Sequence, residues 1–183
     1  MRLSRSLAGS WGFQLDPSGT VKVNTLTPDR EIRVPLPWQA AFPDLQQYSG
    51  YAWYQRRFEI DPQWLNGEVL LKFGAVDYWC QVFINDQLCG EHEGGYTPFT
   101  FTIRQYLQSG SNSVSVRVYD PAQDKIKIPR WFHDPKPLEN QPPFEAELLP
   151  HGKQEWYYNV GGIWQDVQLI AVAAAYIKQV KIT

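Results

Sequence analysis

Carboxylates are the first candidates for chemistry in this sequence. Cleavage of a glycosidic bond with retention needs two carboxyl groups that face each other across a sugar, about 5–5.5 Å apart. Glu91 and Glu93 lie two residues apart on a predicted strand, so their side chains share one face about 6–7 Å apart. They point the same way and cannot flank a substrate. We interpret them as residues of a solvated hairpin edge.

A long segment from Asp120 to Lys153 interrupts the strand pattern and is rich in proline. A loop of this length inside a compact domain is usually functional or disordered, and the aromatic residues around Trp131 predict an ordered, packed loop. The acids in or beside it are Asp134, Glu139, Glu145, Glu147 and Glu155. No spacing singles out a pair, so we predict no catalytic residue in this chain.

The histidines and the glycine motifs do not form a recognised site. His92, His133 and His151 are too dispersed for a zinc motif, and neither Cys-x-x-Cys nor His-x-x-x-His occurs. The sequence also lacks a G-x-S-x-G elbow, and Gly94-Gly95 lacks the strand-to-helix context of a phosphate-binding loop. We therefore expect no metal and no cofactor, and we expect His92 to form a hydrogen bond within the fold.

The two cysteines lie on either side of a predicted hairpin turn at Asn85-Asp86. With a two-residue turn, Val82 faces Cys89 and Cys80 faces Glu91, which puts the thiols on one face but diagonally, about 7–8 Å apart. That separation is at or beyond the limit for an unstrained disulfide. We expect free thiols that act as small core residues.

Tryptophan is abundant, with 8 residues. Aromatic faces stack on sugar rings, but a buried aromatic side chain also removes about 150–250 Å² from water. Position separates the two interpretations. Trp11, Trp53, Trp79 and Trp164 lie in predicted strands and are expected to pack, whereas Trp38, Trp131 and Trp156 lie in predicted loops and are candidate ligand contacts.

Size and charge restrict the class of protein. The 183 residues fit one domain, and the net charge of −2 gives no electrostatic reason to expect nucleic acid or anionic lipid as a partner. The N-terminus has no apolar run of signal-peptide length, and no segment approaches the roughly 20 apolar residues of a membrane span. The sequence therefore predicts a cytoplasmic protein that does not contact a membrane.

The remaining sequence is organised as short strands between turns. Alternating apolar residues predict strands at 9–15, 32–34, 50–60, 68–73, 78–84, 87–93, 97–103, 113–119, 162–172 and 176–182, with a loop at 40–50 and one helical turn at 105–108. Arg56 lies on the apolar face of its strand and needs a carboxylate partner if it is buried. Many strands without an amphipathic helix predict an all-β fold, an antiparallel β-sandwich of the jelly-roll type.

Several segments together resemble one family. They are V-P-L-P-W at 34–38, G-Y-A-W-Y-Q-R-R-F at 50–58, V-D-Y-W-C-Q-V-F-I-N-D-Q-L-C-G-E-H-E-G-G-Y-T-P-F at 76–99, S-N-S-V-S-V-R-V-Y-D at 111–120 and G-G-I-W-Q-D-V-Q-L at 161–169. In this order they resemble the N-terminal sugar-binding domain of glycoside hydrolase family 2, which includes β-galactosidases and β-glucuronidases. The resemblance covers nearly the whole chain and implies a galactose-binding-domain-like jelly roll.

The resemblance also implies a longer parent enzyme. In that family an immunoglobulin-like domain and a (β/α)₈ barrel follow, and both catalytic glutamates lie on the barrel. We therefore expect a jelly-roll domain at 1–173, a linker and the start of the next domain at 174–183, and no hydrolysis by this chain alone. The downstream immunoglobulin-like and barrel domains and a carbohydrate are the expected partners.

In the family, loops of this domain contribute to the rim of the active site. The corresponding regions here are 40–50 and 153–159. The candidate substrate-binding residues are Trp38, Asp44, Trp131, His133, Lys153, Gln154 and Trp156. Three roles stay open from the sequence: an accessory domain at the rim, an autonomous carbohydrate-binding module, and a structural sandwich that binds no sugar. A millimolar or tighter affinity of the isolated chain for sugars would distinguish the module from the structural role.

Overall fold

The computed structural model describes residues 2–121 and 160–177. Nearly all of its regular structure is extended. The strands are β1 (Arg2–Ser6), β2 (Gly9–Asp16), β3 (Arg30–Val34), β4 (Gly50–Ile60), β5 (Glu68–Phe73), β6 (Val76–Asp77), β7 (Trp79–Ile84), β8 (Gln87–Glu93), β9 (Phe99–Thr102), β10 (Gly110–Asp120), β11 (Gly162–Ile163) and β12 (Val167–Val172). One α-helical turn, α1 (Trp38–Ala41), and 3-10 turns at Val23–Thr25, Pro43–Leu45, Pro62–Asn66 and Arg104–Tyr106 connect them.

Two antiparallel sheets form the sandwich. One sheet has six strands in the order β3-β2-β4-β10-β7-β8, and the other has four in the order β1-β12-β5-β9. The short strands β11 and β6 pair separately near one end. The prediction of an antiparallel jelly-roll β-sandwich is confirmed.

The core lies between the inner faces of the two sheets. Strand β10 contributes Val114, Val116 and Val118, and β5 of the opposite sheet contributes Leu71 and Phe73, all without exposed surface. These residues alternate along their strands because successive side chains of a strand point to opposite faces. The alternation read from the sequence therefore identified the inward-facing residues.

Strand β1 was not predicted. It pairs with β12 in the register Leu3 with Ala171, and every one of its residues is exposed. A strand at the edge of a sheet with two solvated faces needs no apolar alternation. The sequence of this segment therefore carries no period-two signal.

The hairpin of β7 and β8 turns at Asn85-Asp86, as predicted. Both residues have positive φ angles, 49° and 64°, as a tight turn of this type requires. A bulge between Val82 and Phe83 shifts the register, so that Cys80 pairs with His92 and not with Glu91. The prediction of Glu91 as the partner of Cys80 is wrong because it assumed an uninterrupted ladder.

Both cysteines are free thiols. Cys80 is completely buried in the core, as predicted, and Cys89 is partly buried against it. Burial raises the pKa of the Cys80 thiol, and it raises the pKa of the Cys89 thiol to about 11. Both groups are therefore protonated thiols near neutral pH.

Arg56 obtains different partners from those expected. Its guanidinium donates hydrogen bonds to the carbonyl oxygens of Leu7 (2.7 Å) and Ala8 (2.9 Å). The connection between β1 and β2 thus supplies the acceptors. No carboxylate is needed because carbonyl oxygens satisfy the donors of a partly buried guanidinium.

Two other predicted segments differ from the structure. Residues 40–50, predicted as a loop, include the end of α1 and the 3-10 turn Pro43–Leu45. The predicted last strand begins at Tyr176, but Tyr176 and Ile177 are not in a strand, and its other residues lie outside the described part of the chain. Within residues 2–121 and 160–177, no helix has the length and apolar character needed to cross a membrane.

Candidate functional site

Gln39 joins distant segments at one end of the sandwich. Its side-chain nitrogen donates to Asp120 Oδ2 (3.0 Å), and its side-chain oxygen accepts from the backbone N–H of Gly161 (2.9 Å). Asp120 ends β10 and Gly161 precedes β11. The helical turn α1 is therefore fixed at the end of the sandwich where β10 ends and β11 begins.

Trp38 lies beneath this junction. It has no exposed surface, its indole N–H donates to the carbonyl oxygen of Tyr48 (3.3 Å), and its ring packs edge-on against the Tyr48 ring. A β-carbon added to Gly161 would collide with both the Trp38 ring and the Asp120 carboxylate. Trp38 was predicted as a ligand contact in a loop, but it lies in α1 as a core residue and offers no ring face for stacking.

Tyr48 closes the segment that follows α1. Its hydroxyl donates to the carbonyl oxygen of Tyr51 on β4 (2.6 Å), while its own carbonyl oxygen accepts from Trp38 and from Gln39. Burial raises the pKa of the Tyr48 hydroxyl, and the charges of Asp16 and Asp120 raise it further. The hydroxyl is therefore neutral and serves as a structural hydrogen-bond donor.

Asp44 lies in the 3-10 turn Pro43–Leu45 and is exposed. Its carboxylate forms an ion pair of 2.7 Å with Arg30 of β3, whose guanidinium also lies 5.3 Å from the centre of the Phe42 ring. The hydrogen bond from Arg30 lowers the pKa of the Asp44 carboxyl. Asp44 is thus an accessible carboxylate that already has a cationic partner.

The other five candidate residues, Trp131, His133, Lys153, Gln154 and Trp156, lie outside the described residues. The described positions that flank their segment are Pro121, directly after Asp120, and Val160, directly before Gly161. Gln39 forms hydrogen bonds with Asp120 and Gly161, the residues next to these two positions. The described residues on either side of this segment therefore lie at the end of the sandwich that carries α1.

Asp77 was missed by the sequence analysis. It lies on β6, pairs with Gly162 of β11 and is only 7% exposed. Burial raises the pKa of its carboxyl group from 3.8 to about 7. The available signal was an acidic residue within the apolar run Ala75-Val76-Asp77-Tyr78-Trp79, which is unusual because an isolated charge is costly to bury.

Tyr96 lies beside Asp77 in the loop after β8. Its side chain is 48% exposed, with its ring edge-on to Trp164 at 5.7 Å. Partial burial raises the pKa of its hydroxyl, as do the charges of Asp77 and Asp120. Tyr96 thus presents an aromatic ring near the junction made by Gln39.

The hairpin acids and His92 are occupied within the fold. Gln81 donates to Glu91 (2.6 Å), and the Tyr78 hydroxyl donates to Glu93 (3.0 Å). His92 stacks on Phe99 at 4.0 Å and shares a 3.3 Å hydrogen bond with Thr97. These contacts agree with a structural role for all three residues.

No group of three or more histidine, cysteine, aspartate or glutamate side chains that could hold a metal ion occurs among the residues that the structure describes. The site consists of a fixed helical turn, a buried carboxyl group and an exposed tyrosine. Its hydrogen-bonding groups and aromatic rings can orient a polar ligand, and nothing in this arrangement pairs two carboxylates across a cleft. A jelly-roll domain, an architecture also found in lectins, is the class that the fold and these described residues define.

The comparisons agree with this class and name the family. The family model described as "Glycosyl hydrolases family 2, sugar binding domain" matches residues 27–173, and the chain belongs to this family. A β-galactosidase of Thermoanaerobacter pseudethanolicus is 27% identical over 135 residues, which is 74% of this chain and 16% of that enzyme. A β-glucuronidase of Streptococcus agalactiae is 34% identical over 104 residues, 54% of this chain and 16% of that enzyme.

A solved structure has the same architecture. The β-glucuronidase of Ruminococcus gnavus in complex with D-glucaro 1,5-lactone superposes with a TM-score of 0.69 at 25% identity, over 93% of this chain and 29% of that protein. The chain thus spans less than a third of that protein and about a sixth of the two relatives above.

Proposed function

We propose that this chain is the non-catalytic N-terminal domain of a retaining glycoside hydrolase that cleaves O-glycosidic bonds in the manner of a β-galactosidase. The family match and the small share of each relative that the chain spans support this role. In the proposed parent, an immunoglobulin-like domain and a (β/α)₈ barrel follow, and the barrel carries the catalytic carboxylates. The jelly roll packs on the barrel and shapes the rim of its active site.

The hydrogen bonds of Gln39 are the observation that carries the rim proposal. They bring α1, the end of β10 and the start of β11 to one end of the sandwich. Both regions that the sequence assigned to the rim, 40–50 and 153–159, are connected in the chain to this junction. A single end of the domain can therefore supply both sets of contacts to one active site.

The activity is tested with the full-length product of the gene and with residues 1–183 alone. We expect the full-length protein to hydrolyse an aryl β-galactoside, with an aryl β-glucuronide as the second substrate, and residues 1–183 to hydrolyse neither. Hydrolysis by the short chain would contradict the proposal. A stop codon directly after Thr183 would contradict it as well.

The rim role is tested by Gln39→Leu in the full-length protein. Loss of the three hydrogen bonds to Asp120, Gly161 and the Tyr48 carbonyl loosens the junction. We therefore expect KM to rise about three- to tenfold while kcat changes less than about twofold, as for a loss of uniform binding. Gln55→Leu is the matched control, since Gln55 also bonds a side chain, Ser115, but on the outer face of the six-stranded sheet. Equal effects of the two substitutions on KM would contradict the rim role.

Autonomous sugar binding is the alternative function. The exposed ring of Tyr96 is the described feature that favours it, because an exposed aromatic ring can stack on a sugar. Calorimetric titration of residues 1–183 with mono- and oligosaccharides separates the two roles. We expect binding, if any, to be weaker than millimolar, whereas millimolar or tighter binding would support an independent carbohydrate-binding module.

A further inference from the structure

The carboxyl group of Asp77 lacks a partner. Among the described residues, no N–H or O–H group donates a hydrogen bond to it and no cation pairs with it, so burial alone accounts for its raised pKa of about 7. Buried carboxylates in proteins are normally paired or hydrogen-bonded. Asp77 therefore destabilises the fold whenever it is ionised, and a neutral amide of the same shape would avoid the cost of the buried charge.

Gly95 lies directly over this carboxyl group. A β-carbon added to Gly95 would stand 2.5 Å from Asp77 Cγ and 2.6 and 2.7 Å from its two oxygens. Two hydrogen bonds hold the loop in this position: the indole N–H of Trp164 donates to the Gly95 carbonyl (2.8 Å), and the N–H of Gly94 donates to the Tyr78 carbonyl (3.0 Å). The loop thus covers the carboxyl group and restricts its access to water.

A covered carboxyl group couples its ionisation to the position of the cover. The neutral form tolerates contact with the apolar α-carbon of Gly95, whereas the ionised form gains solvation if Gly95 moves away. We propose that Asp77 is a proton-dependent latch, which holds the Gly94–Thr97 loop closed when Asp77 is neutral and releases the loop when Asp77 is ionised. Release of the loop moves the exposed Tyr96 ring.

The other titratable groups around Asp77 do not account for such a response, with one exception. Burial raises the pKa of Tyr78 to about 12, its hydroxyl donates to Glu93, and the pKa of Tyr96 is raised as well. Both tyrosines therefore stay neutral at physiological pH. Strand β11 contributes Gly162 and Ile163, which do not titrate, and Asp120 is engaged by Gln39.

His92 is the exception. It contacts the loop through Thr97, and burial lowers its pKa. Protonation of His92 also lies in the accessible pH range. The experiment must therefore separate the contribution of Asp77 from that of His92.

The direction of the effect follows from the two states of the loop. The closed state has the raised pKa, near 7, and the open state has a pKa closer to the ordinary 3.8. Below about pH 4 Asp77 is neutral in both states, and the closed loop is most favoured. Between about pH 4 and 7 opening releases a proton, so the open-to-closed ratio rises by up to tenfold per pH unit. Above pH 7 the ratio levels off because Asp77 is ionised in both states.

Solvent exchange of the Trp164 indole N–H measures this ratio, because that hydrogen bond breaks when Gly95 moves away. The buried indole N–H of Trp11, which donates to the Leu7 carbonyl (2.8 Å), corrects for intrinsic base catalysis of exchange. We expect the Trp164-to-Trp11 ratio of exchange rates in residues 1–183 to rise by up to tenfold per pH unit from about pH 5 to 7 and to level off above pH 7. The ¹³C signal of the Asp77 carboxyl should titrate near the pH at which the ratio levels off.

Two variants identify the titrating group. Asp77→Asn should give a pH-independent ratio of exchange rates, and His92→Gln should retain the wild-type profile. The opposite pattern would assign the response to His92 and overturn the proposal. A wild-type Asp77 signal that titrates near pH 4 would overturn the proposal even if the Asp77→Asn variant did not fold. Neither the exchange measurement nor the titration depends on the sugar-related role proposed above.

Discussion

Gln39 and Asp120 are joined by a hydrogen bond of 3.0 Å although 81 positions separate them in the chain. The same Gln39 side chain accepts from Gly161, 122 positions away. One side-chain amide therefore connects α1 with the end of β10 and with the residue that precedes β11. These hydrogen bonds define the end of the sandwich that we propose forms part of the active-site rim.

Gln39→Leu should destabilise the domain. The substitution removes hydrogen bonds to Asp120, Gly161 and the Tyr48 carbonyl, and hydrogen bonds to a charged group contribute about 1.5–3 kcal/mol. We expect the free energy of unfolding in urea to fall by about 2 kcal/mol. In Gln55→Leu, which loses one bond to Ser115, the loss should stay below about 1 kcal/mol, and a larger loss there would show that Gln39 has no special position.

Gly161→Ala should be more disruptive than its size suggests. The new methyl group would collide with the Trp38 ring and the Asp120 carboxylate, both of which are buried, and overpacking of this kind costs about 1–3 kcal/mol or more. Thermal unfolding followed by circular dichroism measures the loss.

Gly110→Ala is the control for Gly161→Ala. Gly110 has a φ angle of +83° but has room for a β-carbon, with Glu59 Oε2 at 3.7 Å as its nearest neighbour. Its substitution should cost about 1 kcal/mol from backbone strain alone. A Gly161→Ala variant that is more stable than Gly110→Ala would contradict the packing described around Trp38.

Asp77→Asn should stabilise the domain at high pH. The folded-state pKa of about 7 lies above the ordinary value of 3.8, so the folded protein binds more protons than the unfolded chain between these values, and wild-type stability falls as pH rises through this window. The variant lacks this loss. Denaturant unfolding at pH 8 should therefore show a variant more stable by up to about 4 kcal/mol, at 1.36 kcal/mol per unit of pKa difference.

The same comparison near pH 4 should show little difference between Asp77→Asn and the wild type. Asp44→Asn is the control, since Asp44 is exposed and its pKa is lowered by Arg30. That variant should not gain stability at pH 8. An Asp77→Asn protein that is less stable than the wild type at pH 8 would show that the carboxylate has a favourable partner.

Cys80 and Cys89 should react slowly with alkylating agents in the native state. Burial raises the pKa of both groups, that of Cys89 to about 11, and the thiolate is the reactive form. With iodoacetamide at pH 7.5, mass spectrometry should show Cys89 modified slowly and Cys80 modified only after unfolding. Modification of native Cys80 before Cys89 would contradict its place in the core.

Local patterns were sufficient to predict most of the strands. Apolar alternation such as Val114, Val116 and Val118 identifies a strand and its inner face without reference to the rest of the chain, because it reflects the geometry of one strand. Asn85-Asp86 predicted the turn for a similar local reason, and the ordered motifs from Val34 to Leu169 identified the family. The edge strand Arg2–Ser6 was missed because exposed faces impose no pattern.

Burial and partners were decided by residues far apart in the chain. Trp38 reads as a loop aromatic in the sequence, yet Tyr48 and Gly161 enclose it. Asp77 directly precedes a predicted strand, and its cover comes from Gly95, 18 positions further along the chain. A side chain is buried by whatever lies over it, and at this end of the sandwich those neighbours come from different strands and turns that only folding brings together.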